Sequence, residues 1–236
     1  MYNLRNYREK MISKDLLSYN VKVEETDLFI SSEKDLSKIT YESVLKYREI
    51  LKNYKNEEFF KSFSPIAVEE GSHDMIKHMS EVSFVSNTGP MASVAGAISY
   101  YVGIELMKHS NEIIIENGGD IFIKSNHNRK IKIFAGNSIF SNKLSIEIQA
   151  KDTPIGICTS SGTVGHSFSY GKADAVVVVS KDVVLADGVA TSAANLVKSE
   201  NDVDKCIDYI KNIENIMGVV VIINKKLGVW GNLKII

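Results

Sequence analysis

Gly156 to Leu196 reads GICTSSGTVGHSFSYGKADAVVVVSKDVVLADGVATSAANL, and the chain is organised around it. A short apolar entry, Ile155 to Cys158, runs into a hydroxyl-rich turn, Thr159-Ser160-Ser161-Gly162-Thr163. His166 follows, between Gly165 and Gly171. Ala175 to Val179 is an almost purely β-branched run, the pattern of a strand buried on both faces. After a polar turn at Ser180-Lys181-Asp182, a second short apolar run leads to Ala186-Asp187. Gly188 to Val197, rich in alanine, is predicted to be helical.

Asp187 and Thr191 are four residues apart. With a helix beginning near Asp187, both side chains project from one face of its first turn. A carboxylate beside a hydroxyl offers hard oxygen ligands, suited to Mg²⁺ or Ca²⁺. The helix N-terminus adds unpaired N–H groups and a partial positive charge, which favour phosphate. The spacing also has an ordinary explanation, because Asp is a favoured N-cap and Thr is common in early helical turns.

Upstream, Glu112 to Lys124 reads strand, turn, strand, with Ile113-Ile114-Ile115 and Ile121-Phe122-Ile123 flanking Glu116-Asn117-Gly118-Gly119-Asp120. Two adjacent glycines between buried strands indicate a bulge, a tight hairpin or close approach to a ligand. Before it, Asn87-Thr88-Gly89-Pro90 opens a small-residue helix, MASVAGAISYYVGIELMK, with Asn87 or Thr88 as cap and Pro90 in the first turn. Such a thin helix lets a sheet or ligand approach its backbone, or lies pressed in the core. Further out, residues 2 to 31 read as β structure, with a hairpin turning at Glu24-Glu25 that points Val21, Val23, Leu28 and Ile30 inward. Ser32 to Asn56 is helical by pattern, with Ser32 as cap. A short helix follows within Glu57 to Glu70, then another over Ser72 to Val82. His73 and His78 lie about 140° apart around that helix, which argues against a zinc pair. Short strands are expected at Ile131 to Ala135 and Leu144 to Ile148, an amphipathic helix at Asp202 to Ile213, and a final hairpin turning near Asn224-Lys225, with Trp230 packed there.

The 236 residues suffice for a full core and read as a single domain, 1–236, without repeat or linker. A net charge of −1 gives no basic field for nucleic acid or an anionic membrane. Two cysteines, Cys158 and Cys206, make no disulfide scaffold and fit a reducing compartment. The N-terminus is polar, and no uncharged apolar stretch reaches the ~20 residues that span a bilayer. The expectation is a soluble, cytoplasmic protein with no nucleic-acid or membrane partner. Neither a G-x-G-x-x-G before a helix nor a P-loop is present.

The order of these motifs carries a family likeness. GPMASVAGAI, ENGGDIFI, GICTSSGTVGHSFSYGKADAV and ADGVATSAAN resemble the UPF0280 family, a group within the ApbE superfamily, and the likeness covers nearly the whole chain. It implies an α+β fold of ApbE type, with mixed and antiparallel sheets and helices packed on them. Characterised members of that superfamily are Mg²⁺-dependent flavin transferases that cleave FAD and attach FMN to a Ser or Thr of an acceptor protein. The resemblance implies metal ligation by Asp187 and Thr191, and a flavin site formed by Asn117, Gly118, Gly119, Asp120, Thr159, Ser160, Ser161 and Gly162. It gives His166 a general-base or phosphate-contact role. A homodimer is a further expectation.

The sequence also departs from the transferase pattern. The long insert after T-S-G is missing, and Ser-Phe-Ser-Tyr-Gly stands where the transferases carry D-P-x-T-G. A smaller substrate, a different nucleotide pyrophosphate or loss of the transfer would each explain this, and a second reading stays open beside them. UPF0280 members are linked to sulfur assimilation, and Cys158, eight residues before His166, is a candidate persulfide carrier if nearby N–H groups lower its pKa. Against that, a free cysteine is more often a small buried apolar residue. A third reading is a flavin-binding module without catalysis.

Overall fold

The computed structural model describes residue 8, residues 15–164 and residues 170–236. The expectations for residues 2–7 and 9–14, and for His166, lie outside these. The chain enters through the hairpin of β1 (Leu17–Val23) and β2 (Thr26–Ser32), turning at Glu24 with φ 53°. Val21, Val23, Leu28 and Ile30 are all buried, as the alternation predicts. The helix α1 (Ser37–Asn53) starts later than expected. Ser32 is not its cap: it ends β2, and its hydroxyl donates to the Lys34 carbonyl at 2.7 Å.

Next come α2 (Glu57–Lys61) and α3 (Asp74–Ser86). Asn87 does not cap the following helix but terminates α3 in the left-handed region, φ 53°. Thr88 caps nothing either: Gly89 precedes a 3₁₀ turn, Pro90–Ser93, that leads into α4 (Val94–Leu106). The strands β3 (Ile113–Asn117) and β4 (Asp120–Lys124) form a hairpin with Asn117 opposite Asp120. Gly118 and Gly119, at φ 68° and 115°, occupy its two-residue turn. β5 (Arg129–Lys132), β6 (Ser145–Ile148), β7 (Ile155–Ser160) and β8 (Ala175–Ser180) follow, the first two offset from the predicted bounds. The chain continues through α5 (Val183–Leu196), α6 (Val203–Ile210), β9 (Ile216–Ile223), β10 (Lys226–Gly231) and β11 (Lys234–Ile235).

Among the described residues the strands form an eight-stranded sheet, β1-β2-β3-β4-β7-β8-β9-β10, and a smaller one, β11-β6-β5. Every pairing is antiparallel. Period-two alternation divides the large sheet between two cores. Phe122, Val176, Val178, Val219 and Val221 face the helices, while Ile121, Ile123, Val177, Val179, Val220 and Ile222 face the small sheet. That is why β8 is apolar throughout. No described helix is long and apolar enough to cross a membrane.

The helix α5 corrects the sequence reading at the point that matters most. Val183 to Leu185 is not a separate apolar run but the first helical turn, capped by Asp182, whose Oδ1 accepts from the Val184 and Leu185 amides at 2.9 and 3.1 Å. Asp187 therefore lies in the second turn, and the N–H groups of the helix end are taken up by Asp182.

Candidate functional site

A cavity of about 1910 Å³ opens against both sheets and along one side of α5. Gly118, Gly119, Asp120, Thr159, Ser160, Ser161, Asp187 and Thr191 all line it. The structure thus gathers eight of the residues singled out in the sequence around one space. The hairpin turn β3–β4 brings in the glycines. The β7 strand end brings in the hydroxyls, and α5 brings Asp187 and Thr191 on one face, a turn apart. A Cβ on Gly119 would sit 3.4 Å from the Thr159 carbonyl, so the glycine turn lies directly against the hydroxyl segment.

Asn117 and Gly162 do not line the cavity but brace its wall. The Asn117 side-chain amide donates to the Ala95 carbonyl at 3.1 Å, tying the hairpin to α4. Gly162 donates its amide to Ala173 at 2.9 Å, and a Cβ there would lie 2.1 Å from the Gly171 carbonyl oxygen.

Asp187 is fixed from α4. Its Oδ2 accepts from the Gly96 amide at 2.8 Å, possible because Gly96 carries no side chain: a Cβ would be 2.7 Å from the Asp187 Cβ. Thr191 donates to the Ala92 carbonyl at a long 3.4 Å. Asp120 and Asp187 are each only 7% exposed. Burial pushes the Asp187 carboxyl up to about 7. Burial, and then the charge of Asp187, raises Asp120 well above the usual carboxylate range. Asp120 Oδ1 is buried with no hydrogen-bond partner among the described residues. Buried polar atoms are rarely left in that condition. Two carboxylates that repel each other, one with a bare oxygen, and a neighbouring hydroxyl make a donor set that a hard divalent cation fits. Among the described residues no larger group of His, Cys, Asp or Glu is gathered for a metal.

Two contributors are missing from the sequence reading. Glu116, 1% exposed, accepts the Gly119 amide on Oε1 at 2.9 Å and so sets the glycine turn. Its Oε2 takes the Arg8 guanidinium at 2.6 Å, and Arg8 also holds Asp27 at 2.7 Å. The glutamate that opens the E-N-G-G-D turn is a legible signal, whereas nothing local links Arg8 to a residue 108 positions away.

The expectation of an activated Cys158 is reversed. Its side chain points to the helix side of β7, fully buried, with Sγ 3.5 Å from the Val183 carbonyl. Burial, then the charges of Asp120 and Asp187, raise its pKa well above that of an ordinary thiol. A thiolate is the reactive form, so the native protein should protect this sulfur. We expect Cys158 to react with iodoacetamide at pH 8 at least 100-fold more slowly in the folded than in the urea-unfolded chain, followed by peptide mass spectrometry. Equal rates would contradict the burial.

Known proteins agree with this architecture. A family model described as AbpE bacteria matches residues 9–213. A UPF0280 protein of Methanobrevibacter smithii is 40% identical over 198 residues, covering 80% of this chain and 83% of that protein. A UPF0280 protein of Methanococcus maripaludis is 34% identical over 221 residues, covering 90% of each. The apo flavinyl transferase ApbE of Pseudomonas stutzeri superposes with a TM-score of 0.62 at 13% identity, over 91% of this chain and 93% of that one. The flavin transferase ApbE of Vibrio cholerae gives 0.58 at 14% identity, over 92% and 96%. The structural likeness establishes an α+β fold shared with those transferases. With the family model and the relatives it leads to one assignment: this chain belongs to the UPF0280 family of the ApbE-like superfamily.

Proposed function

We propose that this protein is a magnesium-dependent flavin transferase, cleaving FAD and passing FMN to a Ser or Thr hydroxyl of an acceptor protein. The observation that carries the reading is the buried pair Asp120–Asp187, with an unpartnered oxygen, facing the same cavity as the glycine turn and the Thr159–Ser161 hydroxyls. Asp187 and Thr191 would hold the magnesium, with Asp120 beside them. When bound, the ion supplies neutralisation of pyrophosphate charge in the transition state.

The chain's own groups do the rest. Gly118 and Gly119 leave their backbone open to close approach, and Glu116 holds that turn in place. Thr159, Ser160 and Ser161 offer hydroxyls to the nucleotide along one wall. The base for the acceptor hydroxyl is assigned to His166 on the sequence pattern alone. The absence of the D-P-x-T-G segment fits a differently shaped flavin or acceptor end of the site. A persulfide carrier at Cys158 is disfavoured by its complete burial beneath α5.

The test is cleavage of FAD to AMP, with water or a threonine-bearing peptide taking the FMN, with and without Mg²⁺, by wild type and Thr191→Val. Magnesium-dependent release is expected, and in the variant a tenfold or greater rise in the Mg²⁺ concentration giving half-maximal rate. FAD that binds but releases no AMP either to water or to the peptide would leave a binding module. An unchanged magnesium requirement in Thr191→Val would remove that residue from the ligands.

A further inference from the structure

The small sheet ends on β5, whose far side no described strand covers. The orientation of that edge follows from the ladder. Ile133 donates its amide to the Leu144 carbonyl, and the register pairs Ile131 with Ile146 and Arg129 with Ile148. In an antiparallel pair the backbone groups of alternate residues point to the partner and away from it. Arg129, Ile131 and Ile133 therefore turn their amides and carbonyls to β6, and Lys130 and Lys132 turn theirs to the open edge. Every residue from Asn128 to Phe134 lines the cavity that holds Asp120 and Asp187. An unbroken run of lining residues is what a strand gives when its backbone edge, not one face, borders the space.

Side chains on this strand also alternate. Ile131 and Ile133 pack inward against the large sheet, while Lys130 and Lys132 are exposed on the outer face. On that face Lys130 and Lys234 lie on either side of Glu147 and Lys132 lies opposite Ser145, so these strands carry three outward lysines to one carboxylate. Lysines on an edge strand discourage indiscriminate pairing. The partner such an edge admits is an acidic one.

We propose that the open edge of β5 receives an extended acidic segment of the acceptor protein as a fourth strand, presenting a hydroxyl side chain to the cavity. This is strand addition, in which backbone bonds give affinity and alternate side chains give selectivity. Residues of the added strand opposite Lys130 and Lys132 lie on the outer face, where carboxylates pair with the ammonium groups. The intervening residues face the cavity, where a Ser or Thr meets the transferred group. The inference rests on the transferase reading of that cavity, and its test is kept separate from the test of that reading.

The probe is a fluorescein-labelled ten-residue peptide with Asp at alternate positions, Thr at the centre of the other set and Val elsewhere. Its control carries Lys for Asp. Anisotropy with the full chain in Mg²⁺ is expected to show at least tenfold tighter binding of the acidic peptide. The double variant Lys130→Glu, Lys132→Glu should invert that preference. N-methylating the amides of one alternate set should abolish binding, while methylating the other set leaves it intact. Absence of binding, a preference that survives charge reversal, or indifference to which set is methylated would each overturn the proposal. Hydrolysis of FAD to FMN and AMP, with water as the acceptor and no peptide present, reports on the transferase reading. Peptide binding with no release of AMP, either to water or to the peptide, keeps the strand site and removes the transferase, and release without peptide binding removes the strand site alone.

Discussion

Replacing Asp187 with Asn is expected to stabilise the magnesium-free protein at pH 8 while abolishing magnesium-dependent turnover of FAD. The sign follows from linkage. Burial pushes Asp187 up to about 7 in the fold, against 3.8 for a free carboxyl, so between those pH values the folded state binds the extra proton and stability from this group declines as pH rises. Below the lower value both states are protonated and the effect vanishes. Above the upper one the full penalty applies: about three pKa units at ~1.4 kcal/mol each, or on the order of 4 kcal/mol. Asparagine keeps an oxygen to accept from Gly96 and removes the charge that repels Asp120. For a chain of this size a gain of about 2–4 kcal/mol raises Tm by roughly 5–15 °C. The same melts at pH 4 should show little difference between the two proteins. A variant less stable than wild type at pH 8 would mean that the carboxylate is a structural acceptor and not a strained ligand. With saturating Mg²⁺ the order should reverse, because on the proposed reading only the wild type has the carboxylate that ties the ion to its folded state.

How far the sequence discloses this arrangement depends on the range of the forces involved. β-branched runs and the Gly118-Gly119 turn are local signals, and the strands around them fall where the pattern puts them. The starts of α1, α4 and α5 do not. Ser32 and Asn87 have good capping chemistry, but pairing with β3 holds one in a strand, and a left-handed helix end uses the other. In α5, three apolar residues after Asp182 read as a separate run because burial on every side erases helical periodicity. Asp182 is itself the legible cue, as an Asp preceding a helix-forming stretch. The residues gathered around the cavity are legible as a set but not as a geometry. Asp120 and Asp187 lie in separate motifs, and their mutual repulsion arises only when β4 and α5 meet. Cys158 follows the same rule: it stands beside a hydroxyl-rich segment in the sequence, but the fold packs α5 over it, with Sγ against the Val183 carbonyl and no exposure.

That convergence of α4 and α5 hangs on Gly96, and Gly96→Ala is expected to damage both fold and site. In an isolated helix Ala is better than Gly by up to ~1 kcal/mol. Here the new Cβ would lie 2.7 Å from the Asp187 Cβ and 2.8 Å from the Val183 carbonyl oxygen. Neither neighbour can rotate away, because one is backbone and the other is attached directly to it. The helices must separate, and overpacking of this kind costs about 1–3 kcal/mol. Separation also lengthens the bond from the Gly96 amide to Asp187 and swings that carboxylate off its place beside Asp120. We expect a net loss of about 1–2 kcal/mol, hence a fall in Tm of roughly 2–8 °C. Release of AMP from FAD should fall far more than such a loss of stability explains, by two orders of magnitude or more, since misplacement by about 1 Å is enough to do so. Gly71→Ala is the control, because nothing lies within 4 Å of a Cβ there. It should match wild type in both measurements. A Gly96→Ala protein that melts and turns over like wild type would show that α4 does not fix the carboxylate, and the contact between these two helices would then have no part in building the site.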